Sequence, residues 1–168
     1  MKSVNQGGAF MSARHNTNRG KARSCSVRAA RASLCVRTAL PGDLEPLSFF
    51  FDTALRRDYF LRRGQLADML TGRRHQVFVA EIDHVLVGIA VLTRGQRLVN
   101  VLVHPGYRGL GIGAELVNST NAMEVRAKTD MTTGDPRHFY RRLGFESTGR
   151  RNAKGNIELL QKKNRAAI

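Results

Sequence analysis

Three extended runs crowd into residues 76–104: QVFVAEI (76–82), VLVGIAVLTR (85–94) and RLVNVLVH (97–104). Only Asp83-His84 and Gly95-Gln96 join them. A two-residue link reverses an extended chain but cannot carry it back across a sheet. The three runs must therefore pair as an antiparallel meander, and every other element has to fit around it.

Upstream, SLCVRTA (33–39) reads as a first strand by its alternation. The segment PGDLEPLSFFFDTALRR follows, with Asp43 placed to cap a helix and Pro46 tolerable in its first turn. Leu44, Leu47, Phe51 and Leu55 repeat there at helical spacing. A second helical stretch, DYFLRRGQLADMLTG, is interrupted near Gly64 and ends at Gly72. Downstream of the meander, a glycine-rich run opens a short helix over 109–118, and MEVRAKT (123–129) is the next strand. A helical crossover of this kind requires the pairing to turn parallel. In TGDPRHFYRRLGF, Asp135 and Pro136 suit a helix start and Gly144 a helix end. A hairpin around Lys154-Gly155 closes the order β-α-α-β-β-β-α-β-α-β-β. The expected fold is α+β, a mixed and mostly antiparallel sheet flanked by helices.

The run HPGYRGLGIGAEL (104–116) carries the chemistry. It lacks the Gly-Lys-Ser/Thr of a P-loop. Gly109, Gly111 and Ala114 do satisfy a dinucleotide-binding spacing, with Asp130 as the distant acid, but the hairpins upstream argue against the parallel sheet that motif needs. Glycines at 109, 111 and 113 leave backbone N–H groups open at a helix start, where orphan donors and the helix dipole favour an anion. Arg108 adds a charged donor. A strand-to-helix turn alone would need only one such glycine.

With these residues in view, VNVLVHPGYRGLGIGAELV resembles motif A of the GCN5-related N-acetyltransferases (GNAT), with Arg108, Gly111 and Gly113 at its signature positions. FYRRLGF (139–145) is similar to motif B of that family, and the element order from 33 to about 163 also matches. The resemblance implies that acetyl-CoA binds where strands 97–104 and 123–129 part. Pantetheine would pair with the backbone of Val101, Leu102 and Val103, and the pyrophosphate would rest on Arg108, Gly109, Leu110, Gly111, Ile112 and Gly113. The implied reaction is direct attack of a neutral amine on the thioester, without a metal. Tyr140 matches the family's general acid, since a phenol can reprotonate a departing thiolate. Glu81 is a candidate base. Asn100 occupies a central position from which it can bind substrate or hold a water. His104 reads as structural, and His138 as a lesser candidate beside the motif-B aromatics. The helix after motif A is short, and motif B lacks the preceding asparagine common among relatives; Thr133 or Asp135 stands nearby.

Charge narrows the acceptor. Lys and Arg number 28 against 13 Asp and Glu, a net charge of +15. Residues 1–33 hold seven of these cations and no acid in a Gly/Ser/Asn-rich stretch, so 1–32 is expected to be a disordered basic tail outside a 33–168 domain. It could be a plain extension (Met11 offers a later start), a basic arm or a targeting segment. Arg56, Arg57, Arg62, Arg63, Arg73, Arg74, Arg150 and Arg151 fall in the regions where acceptors bind in the GNAT family, with Tyr59 and Phe60 interleaved. A polyanionic acceptor such as one attached to tRNA or DNA fits this charge, and a polycationic aminoglycoside does not. A non-catalytic acyl-CoA- or nucleic-acid-binding module on the same fold is the alternative. Two cysteines, Cys25 and Cys35, point to a reducing, cytoplasmic setting. No apolar run approaches the ~20 residues of a membrane span.

Overall fold

The computed structural model describes residues 33–54, 63–129 and 134–163. Seven strands form one sheet in the order β1-β2-β3-β4-β5-β7-β6. They are β1 (Leu34–Thr38), β2 (His75–Ile82), β3 (Val85–Thr93), β4 (Arg97–Val103), β5 (Glu124–Lys128), β6 (Phe145–Arg151) and β7 (Ile157–Lys162). The meander is antiparallel as its short links demand. Asp83 and His84 both take left-handed backbone, with φ of 51° and 64°. That conformation makes a type I′ turn, whose twist suits a two-residue hairpin. β4 and β5 are the single parallel neighbours among the described strands.

Four helices accompany the sheet: α1 (Leu44–Ala54), α2 (Arg63–Thr71), α3 (Ile112–Ser119) and α4 (Arg137–Arg142). Alternation along the strands sorts two cores onto opposite faces. Leu47, Phe50 and Phe51 of α1 and Leu66 of α2 pack on Val77, Val79, Ile89 and Val91. Ile112, Leu116 and Val117 of α3 pack with Ala80, Val87, Ala90, Leu98, Val125 and Ala127, closed by Phe145 and Leu160. Gly88 permits the second contact, because a Cβ there would meet Leu116 Cδ1 at 3.0 Å and the Leu102 carbonyl at 3.1 Å. Leu47 and Phe51 thus follow the expected stripe with Phe50 added, while Leu55 lies outside the described residues.

Several boundaries differ from the sequence reading for local reasons. The third helix starts at Ile112 rather than 109, because Gly109 and Gly111 have φ of 79° and 84° and cannot be helical. Asp43 does not cap α1. It lies in the 3-10 turn Pro41–Asp43, where its carboxylate accepts from the Leu40 N–H at 2.7 Å and from Arg37 at 2.7 and 2.9 Å. Pro136 is the N-cap of α4 rather than its first residue, and Asp135 accepts from the Arg137 N–H at 2.9 Å. Gly144, with φ of 86°, ends α4 as expected.

Candidate active site

The parting of β4 from β5 makes the site. They pair only through Arg97–Glu124 and Leu98–Val125, and beyond Leu98 their edges separate. A bulge accompanies the separation: Val91 faces Asn100 and Leu92 faces Leu98, which leaves Val99 as the extra residue. Val99 is 45% exposed. Among the described residues the stretch from Val99 to Val103 has no β5 partner. Alternation turns the backbone groups of Val101 and Val103 to that side, where the Val103 carbonyl accepts from Arg108, and those of Leu102 to β3. Such an edge accepts an extended amide-bearing ligand as an added strand.

At the end of β4 the chain turns through Pro105–Tyr107, where His104 Nδ1 accepts from the Gly106 N–H at 3.1 Å. The His104 ring also stands against Phe50 and Tyr107, with centroids 6.5 and 5.7 Å away. The loop 108–111 then opens α3. Among the described residues, the N–H groups of Gly109, Gly111, Ile112 and Gly113 donate to no backbone carbonyl. They form a cradle of donors at the positive end of the helix. The exposed Arg108 lies beside it and donates through Nε to the Val103 carbonyl at 3.3 Å. Val103, Tyr107, Arg108, Gly111, Gly113 and Phe139 contribute to the walls of a cavity of about 420 Å³.

Gly113 lines that cavity between Phe139 and Val103. A Cβ on it would lie 3.5 Å from Phe139 Cζ and 3.6 Å from Val103 Cγ2, which is ordinary contact. Gly113→Ala should therefore leave the melting temperature unchanged while weakening acetyl-CoA binding about tenfold, or 1.4 kcal/mol. Calorimetric titration beside a thermal melt checks both halves of this expectation. The sequence reading does not single out Phe139, Arg142 and Leu143, which also line the cavity. Their i, i+3 and i+4 spacing on the motif-B helix is the available signal.

Tyr140 projects from α4 and packs between Phe139 and Phe145, with ring centroids 5.0 and 5.9 Å away. It is half-buried against the core that also holds Val101 and Val103. Asn100 is half-buried on β4 and alternates with these valines, so it shares the opposite sheet face with Leu102, toward α1 and α2.

Glu81 stands apart from them. It lies on β2 beyond a bulge, two strands from β4, and accepts from Arg37 Nη2 at 2.5 Å. Arg37 also grips Asp43, and that ion pair holds the Asp43 carboxyl below its ordinary range. A carboxylate committed to a guanidinium in this way braces β1, the 3-10 turn and β2. His138 is exposed on α4. Of the expected basic cluster, Arg73, Arg74 and Arg150 are exposed, whereas Arg151 pairs with Glu158 at 3.3 Å. Arg56, Arg57, Tyr59, Phe60 and Arg62 lie outside the described residues, and so do Asp130 and Thr133. No described helix is long and apolar enough to cross a membrane.

Comparison with known proteins agrees with this geometry. Residues 73–147 match the family model described as an acetyltransferase (GNAT) domain. No curated protein matches the sequence. Among solved structures, the PaiA N-acetyltransferase of Thermoplasma acidophilum in complex with coenzyme A is similar, with a TM-score of 0.56 at 18% identity over 78% of this chain and 99% of that one. The ribosomal-protein-S18-alanine N-acetyltransferase of Escherichia coli gives 0.56 at 13% identity, covering 80% and 99% of the two chains. An acetyltransferase of Thermus thermophilus gives 0.58 at 14% identity, covering 76% and 95%. The match over residues 73–147, the sheet order and the parting of β4 from β5 together make this chain similar to the GNAT acetyltransferases in sequence and in fold.

Proposed function

We propose that the protein transfers an acetyl group from acetyl-CoA directly to a primary amine. The observation that carries this reading is the continuity of three features along one path. The end of the β4 edge at Val103, the cradle after Arg108 and Phe139 line one cavity, and Tyr140, next to Phe139, packs against the same core as Val101 and Val103. The residues fit the donor: amides on the edge suit pantetheine, and the cradle with Arg108 suits a pyrophosphate. Acetyl-CoA supplies a thioester whose carbonyl carbon an uncharged amine attacks.

The residues of this chain then have distinct tasks. Val101 and Val103 hold the thioester arm by backbone bonds, while the backbone of Leu102 pairs with β3. Arg108 and the N–H groups of the cradle hold the diphosphate. As the C–S bond breaks, the Tyr140 hydroxyl gives its proton to the leaving sulfur and is reprotonated from solvent. The amine's surplus proton leaves through water, for which Asn100 offers a hydrogen-bonding side chain on the α1/α2 face. Glu81 is assigned to the brace around Arg37 and not to proton transfer. Cytoplasmic residence suits the exposed, free Cys35.

Calorimetric titration with acetyl-CoA, followed by thiol release across a panel of amines, tests the reading. Binding with transfer supports it. Binding without transfer to any amine favours the non-catalytic module, and no binding at all overturns both. The net charge of +15 favours an acceptor amine attached to a polyanion such as tRNA or DNA. Transfer to aminoacyl-tRNA that weakens steeply with salt supports this finer reading, and indifference to salt removes it.

A further inference from the structure

We propose that Arg126 is an acceptor-binding residue that holds an anionic group, a carboxylate or a phosphate, carried beside the reactive amine. The inference rests on the acetyl-transfer reading and deepens it. On β5, Val125 and Ala127 are buried beneath α3, so alternation sends Arg126 to the other face. Its place along the opening is set by register. Leu98–Val125 is the last β4–β5 pair, and Arg126 is the next residue on β5 as the bulged Val99 is on β4.

That face is open. The core of α1 and α2 lies over β2 and β3, with Leu102 at its border. Arg126 is exposed and has no hydrogen bond or ion pair among the described residues. Its cross-strand partner on β7 is the half-buried, apolar Leu159. The acid on its own strand, Glu124, is engaged by Arg97, so that charge is already balanced. Some other cations of the domain are paired, Arg37 with Asp43 and Glu81 and Arg137 with Asp135 and Glu158, whereas Arg126 is distinguished by its place at the parting of the strands. A guanidinium so placed offers a planar, two-pronged donor for a carboxylate or phosphate. It stands where the strands part, on the sheet face that also carries Asn100. The acceptor class is therefore a primary amine with an anionic neighbour, and a polycationic amine is repelled.

The test uses the full-length protein, acetyl-CoA and two matched pairs of amines. One pair is 2-aminoethyl phosphate and 2-aminoethanol; the other is glycylglycine and glycylglycinamide. Wild-type kcat/KM should favour the anionic member of at least one pair by about tenfold or more, and the pair that responds identifies phosphate or carboxylate. In Arg126→Gln that preference should vanish through a higher KM for the anionic amine. The neutral amine and acetyl-CoA should keep their KM values, and Arg126→Lys should recover part of the preference. Equal use of both members by the wild type, or a preference that survives in Arg126→Gln, overturns the assignment. If the protein binds acetyl-CoA but acetylates none of the four, the transfer reading is what fails. Calorimetry of the anionic amines on the CoA-saturated protein then judges Arg126 separately. Binding lost in Arg126→Gln supports the site, and no binding to the wild type ends it.

Discussion

Tyr140→Phe should lower kcat about a hundredfold while leaving the affinity for acetyl-CoA within twofold. The substitution removes one oxygen and keeps the ring. Its edge-to-face packing with Phe139 and Phe145 survives, so α4 remains seated and the cavity beside Gly113 keeps its Phe139 wall. On the proposed mechanism, what is lost is the proton that the leaving sulfur takes as the C–S bond breaks. The effect therefore belongs in turnover and not in binding of the donor. Steady-state thiol release at saturating acetyl-CoA, beside calorimetric titration of the donor, separates the two. A variant with unchanged kcat would remove Tyr140 from the mechanism. A variant with weakened donor binding would instead show that the hydroxyl organises the cleft.

Features that a sequence makes legible are those fixed by a few adjacent residues. Asp83-His84 and Gly95-Gln96 are local constraints: a link of two residues admits few geometries, so the meander follows from it. Gly109 and Gly111 are similar, because positive φ is a property of one residue and its neighbours. The start of α3 shows the limit. Spacing suggests residue 109, and only the backbone of the two glycines moves it to Ile112.

Long-range pairings leave no such trace. Arg37 and Glu81 are 44 positions apart, and Glu81 reads as a free strand carboxylate until β1 is placed beside β2. Nothing in EIDHVLV announces a guanidinium across the strand. Asp43 misleads for a related reason. An acid before a helix suits an N-cap, but here the carboxylate turns back to the Leu40 N–H and to Arg37. In the sequence Arg126 counts only as bulk charge. Its meaning depends on which face of β5 it occupies and on where the β4–β5 pairing stops, and both are properties of the assembled sheet.

The buried carboxylate of Glu158 should be the strongest single determinant of how firmly α4 sits. Glu158 is only 4% exposed on β7. It accepts from the Ser147 hydroxyl on β6, from Arg137 at 3.0 Å at the start of α4, and from Arg151 at 3.3 Å. The Ser147 hydroxyl first, and then Arg137, hold its carboxyl below the ordinary glutamate range. Arg137 in turn grips Asp135, whose carboxyl is lowered to about 2 by that contact. Glu158→Gln keeps the volume but removes the charge that both guanidinium groups face. We expect a loss of about 2–3 kcal/mol, short of the full cost of a broken buried pair because both arginines still reach water. For a domain of this size that corresponds to a melting temperature lower by about 5–10 °C.

The pH dependence has a definite sign. A carboxyl whose folded pKa is depressed contributes stability above its ordinary value, near 4.5 for Glu158. That contribution is lost as pH falls through the lower folded value. The melting temperatures of wild type and Glu158→Gln should therefore differ most near neutral pH and converge as pH drops below about 4.5. Asp135→Asn is the control, since its pair with Arg137 is partly solvated and a screened surface pair contributes little. Should Glu158→Gln melt like the wild type at neutral pH, the network would be a consequence of α4 docking and not its cause. α4 would then be held chiefly by Phe139, Tyr140 and Leu143 against the core.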